Sequence, residues 1–270
     1  LDATNRQIRT NRQQAYEYAK LVWAADQKTL YRVLKGPTSQ HISRQRDLVN
    51  SARGSDSVLS VFLEVNLNAA YFKDKCGPHA FYTPSPAGLS SLPAWSTLNS
   101  TNQRLQDWVS RYLELTTYEI SCPVLRDPAL APDGKTGVIV STLMDYELTR
   151  TMERAGTYEA FKDACSRKIV QVLTASIFPD LADHIESTLC ATPVTIRRLT
   201  GNSGGAITGW AFVNAALPAE SRLERMSHAI YTPIPNVYQC GQWSFSPSGL
   251  PVSILTGKLA SDAVHKSLRR

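Results

Sequence analysis

The stretch of residues 231–266, YTPIPNVYQCGQWSFSPSGLPVSILTGKLASDAVHK, decides the fold of the chain. Its apolar residues 237–240 predict a short strand, and residues 241–249 predict a turn. A helix is predicted to begin at Pro251. Proline is favoured at the first position of a helix, because a backbone N–H at that position would have no hydrogen-bond partner within the helix. Apolar residues at helical spacing predict that one face of this helix is buried: Val252, Leu255, Leu259 and Ala263.

The start of this predicted helix carries no ionised side chain. Between residues 231 and 257 the sequence contains no Asp, Glu, Lys or Arg. The helix N-terminus therefore has free N–H groups and about half a positive charge that no side chain neutralises. Such an end is suited to bind an anion. A terminal strand–turn–helix unit that only packs fits the same pattern, and the spacing leaves both interpretations open.

Length and composition are those of an ordinary globular protein. The chain has 270 residues, 43% of them hydrophobic, which suffices for one large or two modest domains. The net charge is +6, yet no basic run exceeds two residues, so we find no nucleic-acid-binding patch. A mildly basic surface is compatible with acidic lipids, and hence with peripheral membrane contact. No apolar run approaches the ~20 residues of a transmembrane segment.

Cysteine and histidine residues argue against some kinds of site. The five cysteines form no CxxC pair, and their odd number favours reduced thiols and an intracellular origin. The sequon Asn99-Ser-Thr favours a secretory route, although such short motifs also arise by chance. The five histidines lack HxxxH and HExxH spacing, so no zinc or other metal site is predicted.

The order of residues in 237–261 resembles a known segment. Six of them match, position by position, the C-terminal flavin-binding segment of the phytoene desaturase-like FAD oxidoreductases, a family of carotenoid desaturases, carotenoid isomerases and retinol saturases: Gly241, Gln242, Trp243, Gly249, Leu250 and Pro251. The resemblance implies that these six residues bind FAD, with the Gly-Gln-Trp turn and the helix start against the flavin ring. The bare helix end would then stabilise the negative charge that a reduced flavin carries over N1 and O2.

Other parts of the chain resemble landmarks of the same family, so the resemblance covers nearly the whole sequence: residues 57–63, 131–137, 192–195 and 201–210. It implies an α/β fold, namely the C-terminal part of a two-domain FAD-binding oxidoreductase of the Rossmann-like, glutathione-reductase type. An α+β substrate domain would be inserted in it. The expected pieces are residues 1–40 and 200–270 for the FAD-binding domain and residues 41–199 for the substrate domain.

The glycine fingerprint of dinucleotide-binding domains is missing. No GxGxxG, the turn that lets backbone amides approach a pyrophosphate, occurs in the sequence. The resembled family carries it upstream of the segment equivalent to residues 19–26. We therefore expect a complementary N-terminal chain that carries the fingerprint, produced by proteolytic cleavage or by a split gene. An inactive fragment is the alternative.

Hydrophobic periodicity and turn residues predict the remaining elements. The strands are expected at residues 19–25, 57–65, 80–83, 118–122, 137–142 and 192–199. The helices are expected at residues 28–34, 105–113, 158–176 and 181–189. Residues 19–25 are continuously apolar, as in a parallel strand that is buried on both faces. Asp26 and Asp145 are predicted to cap the helices that follow them.

The motif Gly201-Asn-Ser-Gly-Gly205 fits the GxSxG pattern of serine hydrolases. A nucleophile elbow needs a helix directly after the serine, whereas residues 206–212 are predicted to be extended or irregular. No histidine has the sequence setting that a trypsin-like enzyme requires. We therefore reject a serine hydrolase and expect the glycines to let the backbone pass close to a flat ligand.

The sequence offers no acid–base set, and no residue is identified as catalytic. This agrees with flavin chemistry, in which the protein mainly orients the substrate and excludes water. The expected function is desaturation, dehydrogenation or double-bond isomerisation of a hydrophobic small molecule. Tyr146, Trp210 and Phe245 are candidates for the wall of the substrate site, and for Trp210 core packing is an equal alternative. An amine oxidase-type or alkene-reducing flavoenzyme and a non-catalytic partner subunit remain alternative functions.

Overall fold

A computed structural model describes residues 1–36, 39–97 and 102–269. The chain forms two compact units. The first unit contains Leu1–Asp56 and Arg197–Arg270, and the second contains Ser57–Ile196, so the second unit is inserted in the sequence of the first. Whether residues 1–40 and 200–270 are flavin-binding pieces, and residues 41–199 a substrate domain, stays a prediction. The sequon at Asn99 lies outside the described residues.

The described residues of the first unit combine short strands with helices. Its strands are β1 (Gln7–Arg9), β2 (Ala15–Glu17), β3 (Leu21–Trp23) and β9 (Val237–Gln239). Its helices are α1 (Gln27–Val33), α2 (Gln40–Ser51) and α8 (Leu250–Leu268). β1 pairs antiparallel with β2, and β3 pairs parallel with β9. The carboxyl ends of β3 and β9 therefore lie at the same edge of their sheet.

The second unit is built on a five-stranded antiparallel sheet with the strand order β5-β6-β7-β4-β8. Its strands are β4 (Ser57–Val65), β5 (His79–Tyr82), β6 (Tyr118–Ser121), β7 (Thr136–Met144) and β8 (Ile185–Ala191). Its helices are α3 (Ala69–Lys73), α4 (Asn102–Leu115), α5 (Tyr146–Arg154) and α6 (Tyr158–Thr174). The chain returns to the first unit within α7 (Pro193–Thr200).

These elements confirm the α/β class and most of the predicted strands and helices. The strand β4 has the predicted bounds, and α6 ends two residues before the predicted end. Asp26 and Asp145 cap α1 and α5 as predicted, because their carboxylate oxygens accept hydrogen bonds from the N–H groups of Thr29 and Leu148 at 2.7 and 2.9 Å. Both caps satisfy donors that the first helical turn leaves unpaired.

Two neighbouring predictions in the second unit are wrong. Residues 181–189 were expected to be helical, but most of them form the edge strand β8, whose backbone pairs with β4. Residues 192–199 were expected to be a strand, but all of them except Thr192 belong to α7. There the Oγ1 atom of Thr192 accepts the N–H of Thr195 at 3.4 Å, and Pro193 occupies the first helical position. In α7, the capping by Thr192 and the proline at the first helical position outweigh the preference of β-branched residues for strands. In β8, the pairing with β4 decides the structure.

The strand β3 also differs from its prediction. It spans three residues instead of seven, and Val22 at its centre is 39% exposed rather than buried on both faces. In the described part of the chain, β3 pairs with β9 and with no other strand. The opposite edge of β9 is covered, because the N–H of Gln239 donates to the carbonyl O of Ile230 at 2.8 Å.

The core of the second unit lies under one face of β4. Four alternate side chains of this central strand are at most 2% exposed: Leu59, Val61, Leu63 and Val65. They pack in one cluster with apolar residues of α4 and α6, such as Leu113 and Phe161. By contrast, Phe62 on the opposite face is 39% exposed. The period of two residues therefore separates the two faces of the strand.

We expect Leu63→Ala to lower the free energy of unfolding by about 2–5 kcal/mol, because it leaves a cavity in a closed core. The neighbouring change Phe62→Ala removes a larger side chain from the open face and should cost about 1 kcal/mol or less. Urea unfolding followed by far-UV circular dichroism measures both. Equal losses would contradict the assignment of the core to one face of β4.

Candidate functional site

The predicted turn follows directly from the carboxyl end of β9. We call residues 240–243 the Gly241 turn. The N–H of Cys240 donates to the carbonyl O of Trp23 at 3.0 Å, which holds the turn beside the end of β3. Gly241 has φ = +84°, a conformation that favours glycine. The half-buried Cys240 lies just beyond the strand, and its burial raises the pKa of the thiol.

A buried threonine joins the Gly241 turn to α8. The N–H of Gly241 donates to Thr256 Oγ1 at 3.0 Å, and the same hydroxyl lies 2.9 Å from the carbonyl O of Val252 in the preceding helical turn. Thr256 is fully buried. The turn and the N-terminal half of α8 therefore form one hydrogen-bonded arrangement.

The amino end of α8 has no side-chain cap. Gly249 occupies the cap position in an extended conformation, and no acidic residue lies in the first turn. Leu250 is 75% exposed and Pro251, which has no N–H, is also exposed, so the start of the helix lies at the surface of the unit. The Oγ atom of Ser248 is buried without a hydrogen-bond partner among the described residues. The predicted bare helix end is thus present, with an unsatisfied polar atom two residues before it.

The glycine loop, residues 201–210, packs against the Gly241 turn. Gly209 has φ = +81°, and a Cβ atom at this position would lie 2.1 Å from the carbonyl O of Gln242. Only glycine fits at such a distance from another backbone. The far side of the loop is held by residues before β4, since the N–H of Ser55 donates to the carbonyl O of Gly209 at 2.7 Å.

The Gln242 side chain closes the contact between loop and turn. One orientation of the side-chain amide gives hydrogen-bond partners to both its nitrogen and its oxygen. In this orientation the nitrogen donates to the carbonyl O of Ile207 at 3.1 Å, and the oxygen accepts from Asn202 Nδ2 at 2.8 Å. Gln242 therefore binds the protein's own loop with its side chain, and a cofactor would meet mainly the backbone of this turn.

Two tryptophans lie beneath the contact. Trp210 and Trp243 are each 1% exposed and pack edge to face, with ring centroids 4.8 Å apart. Trp210 Nε1 donates to the carbonyl O of Trp243 at 3.0 Å. Such aromatic pairs stabilise a structure by ~0.5–1.5 kcal/mol beyond the burial of their area. In this conformation both indoles belong to the core of the first unit, which is the alternative that the sequence left open for Trp210.

The other two candidates for the substrate wall lie in separate places. Phe245 is 1% exposed and packs in a small cluster with Met226 and Ala229, apart from the tryptophan cluster. Tyr146 begins α5 in the second unit, directly after the cap residue Asp145, and is half-buried. The structure thus brings Trp210 and Trp243 together, whereas Phe245 belongs to another cluster.

The serine of the GxSxG motif is not on a nucleophile elbow. Ser203 begins a short 3₁₀ turn, and an irregular segment follows it, as predicted. Its N–H donates to Asp26 Oδ2 at 2.9 Å, while Asp26 Oδ1 caps α1. The buried carboxylate of Asp26 therefore ties the glycine loop to the end of β3, a role beyond the predicted cap.

Several residues that build this site were missed in the sequence. Thr256 and Gly209 act through contacts with residues 15 or more positions away, and no local pattern indicates such contacts. A weak signal existed for Thr256, because a β-branched polar residue within an otherwise apolar helical segment often has a specific partner. Asn202 lies within the quoted motif, but its amide contact with Gln242 is a tertiary feature.

A separate polar cleft of about 300 Å³ lies in the first unit. Its lining includes Gln239, Tyr31 and the ion pair of Glu220 with Arg225, whose atoms are 3.3 Å apart. None of the predicted site residues lines it. In the described residues, no group of three or more His, Cys, Asp or Glu side chains is placed to hold a metal ion. No described helix is long and apolar enough to cross a membrane.

Comparison with known proteins gives structural neighbours only. No protein-family model and no curated protein matches the chain. Solved structures that resemble it include a reduced UDP-galactopyranose mutase (TM-score 0.45, 11% identity, 71% of this chain and 32% of that one). An oxidoreductase from Methanosarcina mazei is also similar (TM-score 0.48, 11% identity, 97% of this chain and 48% of that one). The chain thus spans about a third to a half of the length of these proteins.

The packing of Gly209 against Gln242 can be tested with a matched pair of substitutions. Gly204→Ala places a methyl group in open space at φ = +65°, so it adds only backbone strain of about 1 kcal/mol. Gly209→Ala adds similar strain and a collision with a carbonyl group, and should cost about 1–3 kcal/mol more. Urea unfolding followed by tryptophan fluorescence measures the difference. A loss for Gly209→Ala no larger than that for Gly204→Ala would contradict the close contact.

Proposed function

We propose that this chain is one part of an FAD-dependent oxidoreductase that acts on a hydrophobic small molecule, of the kind found in the phytoene desaturase-like family. The supporting observation is the amino end of α8, a 19-residue helix without a side-chain cap at the carboxyl edge of the β3–β9 sheet. The reaction would be desaturation, dehydrogenation or double-bond isomerisation.

The electrostatics of this helix end favour an electron-rich ligand. The helix dipole places about half a positive charge at its N-terminus, which stabilises a nearby anion by ~0.3–1 kcal/mol at an exposed site. The nearest ionisable residue in the sequence on its C-terminal side is Lys258, and no acidic residue lies in the first turn. A flavin ring that gains negative charge on reduction would therefore meet no competing carboxylate of this segment.

The residues at the helix start fit a flat, polar-edged ring. The buried Oγ of Ser248 lacks a partner among the described residues, and the N–H of Leu250 follows an extended glycine, Gly249. Pro251 has no N–H, so Leu250 is the donor at this point of the helix start. When bound, a flavin supplies hydride transfer. This chain would contribute the backbone of Gly241, Gln242 and Trp243, which is fixed by Thr256 and the glycine loop. These groups would orient the ring and tune its charge rather than act as acid or base.

The candidates for the substrate wall differ in burial. Trp210 and Phe245 are buried in their clusters, so they would back the wall instead of forming its surface. Tyr146 keeps a half-buried position at the start of α5. Exposed apolar side chains in the first helical turns of α8, Leu250 at 75% and Ile254 at 65%, are better placed to contact a hydrophobic molecule or another chain.

A complementary chain with the GxGxxG fingerprint is part of the proposal. Two-stranded parallel sheets of three-residue strands are unusual, because parallel sheets are commonly larger and covered on both faces. In the described residues β3 has one strand neighbour, and Val22 is 39% exposed. A further strand along β3 would complete both the sheet and the burial of Val22.

A negative charge introduced at the start of α8 tests whether this helix end binds the flavin. Leu250→Asp places a negative charge among the free N–H groups, and we expect lower flavin content and a midpoint potential lowered on the order of 20 mV, about 1 kcal/mol for two electrons. Leu250→Asn has nearly the same shape without the charge and controls for the lost leucine. Unchanged flavin content and potential in Leu250→Asp would count against the site.

The partner and the reaction class need protein from its native source. A second polypeptide with GxGxxG on a denaturing gel, together with flavin absorbance near ~450 nm, would support the proposal. A colourless preparation would favour a non-catalytic subunit. Oxygen consumption with peroxide release would favour an amine oxidase-type enzyme over a desaturase.

A further inference from the structure

Two cysteines of the second unit lie close together although they are 46 positions apart in sequence. Cys76 lies in the turn between α3 and β5, and Cys122 directly follows β6. Their sulfur atoms are 3.9 Å apart, and both residues are free thiols. A disulfide needs the sulfurs to approach to about 2.05 Å, so a movement of about 1.9 Å would join them.

The backbone holds both residues in place. The N–H of Cys76 donates to the carbonyl O of Phe72 at 2.9 Å, and the N–H of Cys122 donates to the carbonyl O of Pro78 at 3.1 Å. Between them, His79 of β5 is paired with Ser121 of β6. Backbone hydrogen bonds and the pairing of β5 with β6 therefore hold the two thiols close together.

The two thiols differ in access to solvent. Cys122 is fully buried, whereas Cys76 is half-buried. The hydrogen bond with Cys122 lowers the pKa of the Cys76 thiol, and burial opposes this shift. The same hydrogen bond, with burial, raises the pKa of Cys122. Since the thiolate is the nucleophile, Cys76 is suited to react first and Cys122 second.

We propose that Cys76 and Cys122 form a reversible redox site that hydrogen peroxide converts into a disulfide. The Cys76 thiolate attacks one peroxide oxygen, the O–O bond breaks, and the departing hydroxide takes a proton to become water. The sulfur of Cys122 loses its proton and attacks the sulfenic acid at Cys76. The S–O bond then breaks and a second water leaves. Two thiols lose two electrons and one peroxide is reduced to two waters.

Oxidation would close a covalent loop around the edge of the sheet. The loop between the two cysteines contains β5, α4 and β6, so the new bond would tether the edge strand β5 where it begins. A cross-link of this length restricts the unfolded chain and stabilises the folded unit. The site lies within the second unit, and its chemistry is independent of the proposed flavin site.

The full-length chain can be treated with hydrogen peroxide, alkylated, digested without reductant and mapped by mass spectrometry. We expect one cross-linked pair of peptides that joins Cys76 to Cys122, its loss on treatment with dithiothreitol, and a Tm about 5 °C higher in the oxidised protein. The variants Cys76→Ser and Cys122→Ser should lack both the cross-link and the rise in Tm.

Cys190→Ser is the matched control, because Cys190 is also half-buried and lies in the same unit. This variant should keep the cross-link and the rise in Tm. A cross-link between other cysteines, irreversible oxidation of Cys76 without a cross-link, or persistence of both thiols would each overturn the proposal. If a serine variant fails to fold, the peptide map of the peroxide-treated protein without substitutions still shows whether Cys76 and Cys122 are cross-linked.

Discussion

The contact between the backbones of Gly209 and Gln242 is the constraint on which the candidate site depends. A Cβ atom at residue 209 would lie 2.1 Å from the carbonyl O of Gln242, so the glycine loop and the Gly241 turn approach too closely for any residue but glycine. This approach places Trp210 over Trp243 and lets Gln242 span from Asn202 to Ile207. The loop and the turn are therefore joined by a backbone contact, an aromatic pair and side-chain hydrogen bonds.

The absence of ionised side chains in residues 231–257 has an electrostatic consequence at the start of α8. The N-terminal half of α8 contains apolar residues and the buried Thr256. The hydroxyl group of Thr256 already donates to the carbonyl O of Val252 and accepts from the N–H of Gly241. The uncapped start of α8 therefore keeps the partial positive charge of its helix dipole. Acidic side chains on the rest of this helix begin at Asp262, which pairs with Lys258 at 2.6 Å.

Much of the fold could be predicted from local patterns, and the failures have a common cause. The alternation of residues 57–65 predicted β4 because one face of that strand is buried, and Asp26 and Asp145 predicted two helix starts because they cap them. The predictions for residues 181–199 were wrong because β8 is an edge strand. Most of its side chains are exposed, so buried and exposed residues do not alternate along it. The six matched residues located the turn and helix start. The contacts of Gly209, Thr256 and Ser203 link distant segments, so periodicity and turn signals do not contain them.

The geometry of the first unit explains why these distant segments meet where they do. β3 and β9 run parallel, so the residues that leave them, Asp26 on one side and the Gly241 turn on the other, emerge at the same edge. Asp26 brings Ser203 and the glycine loop to this edge through a 2.9 Å hydrogen bond. Ligands of open parallel sheets bind outside the carboxyl ends of the strands, where the loops separate. Thr256 of α8 and Gly209 of the glycine loop both contact the Gly241 turn at this edge, which is where such a sheet would hold a ligand.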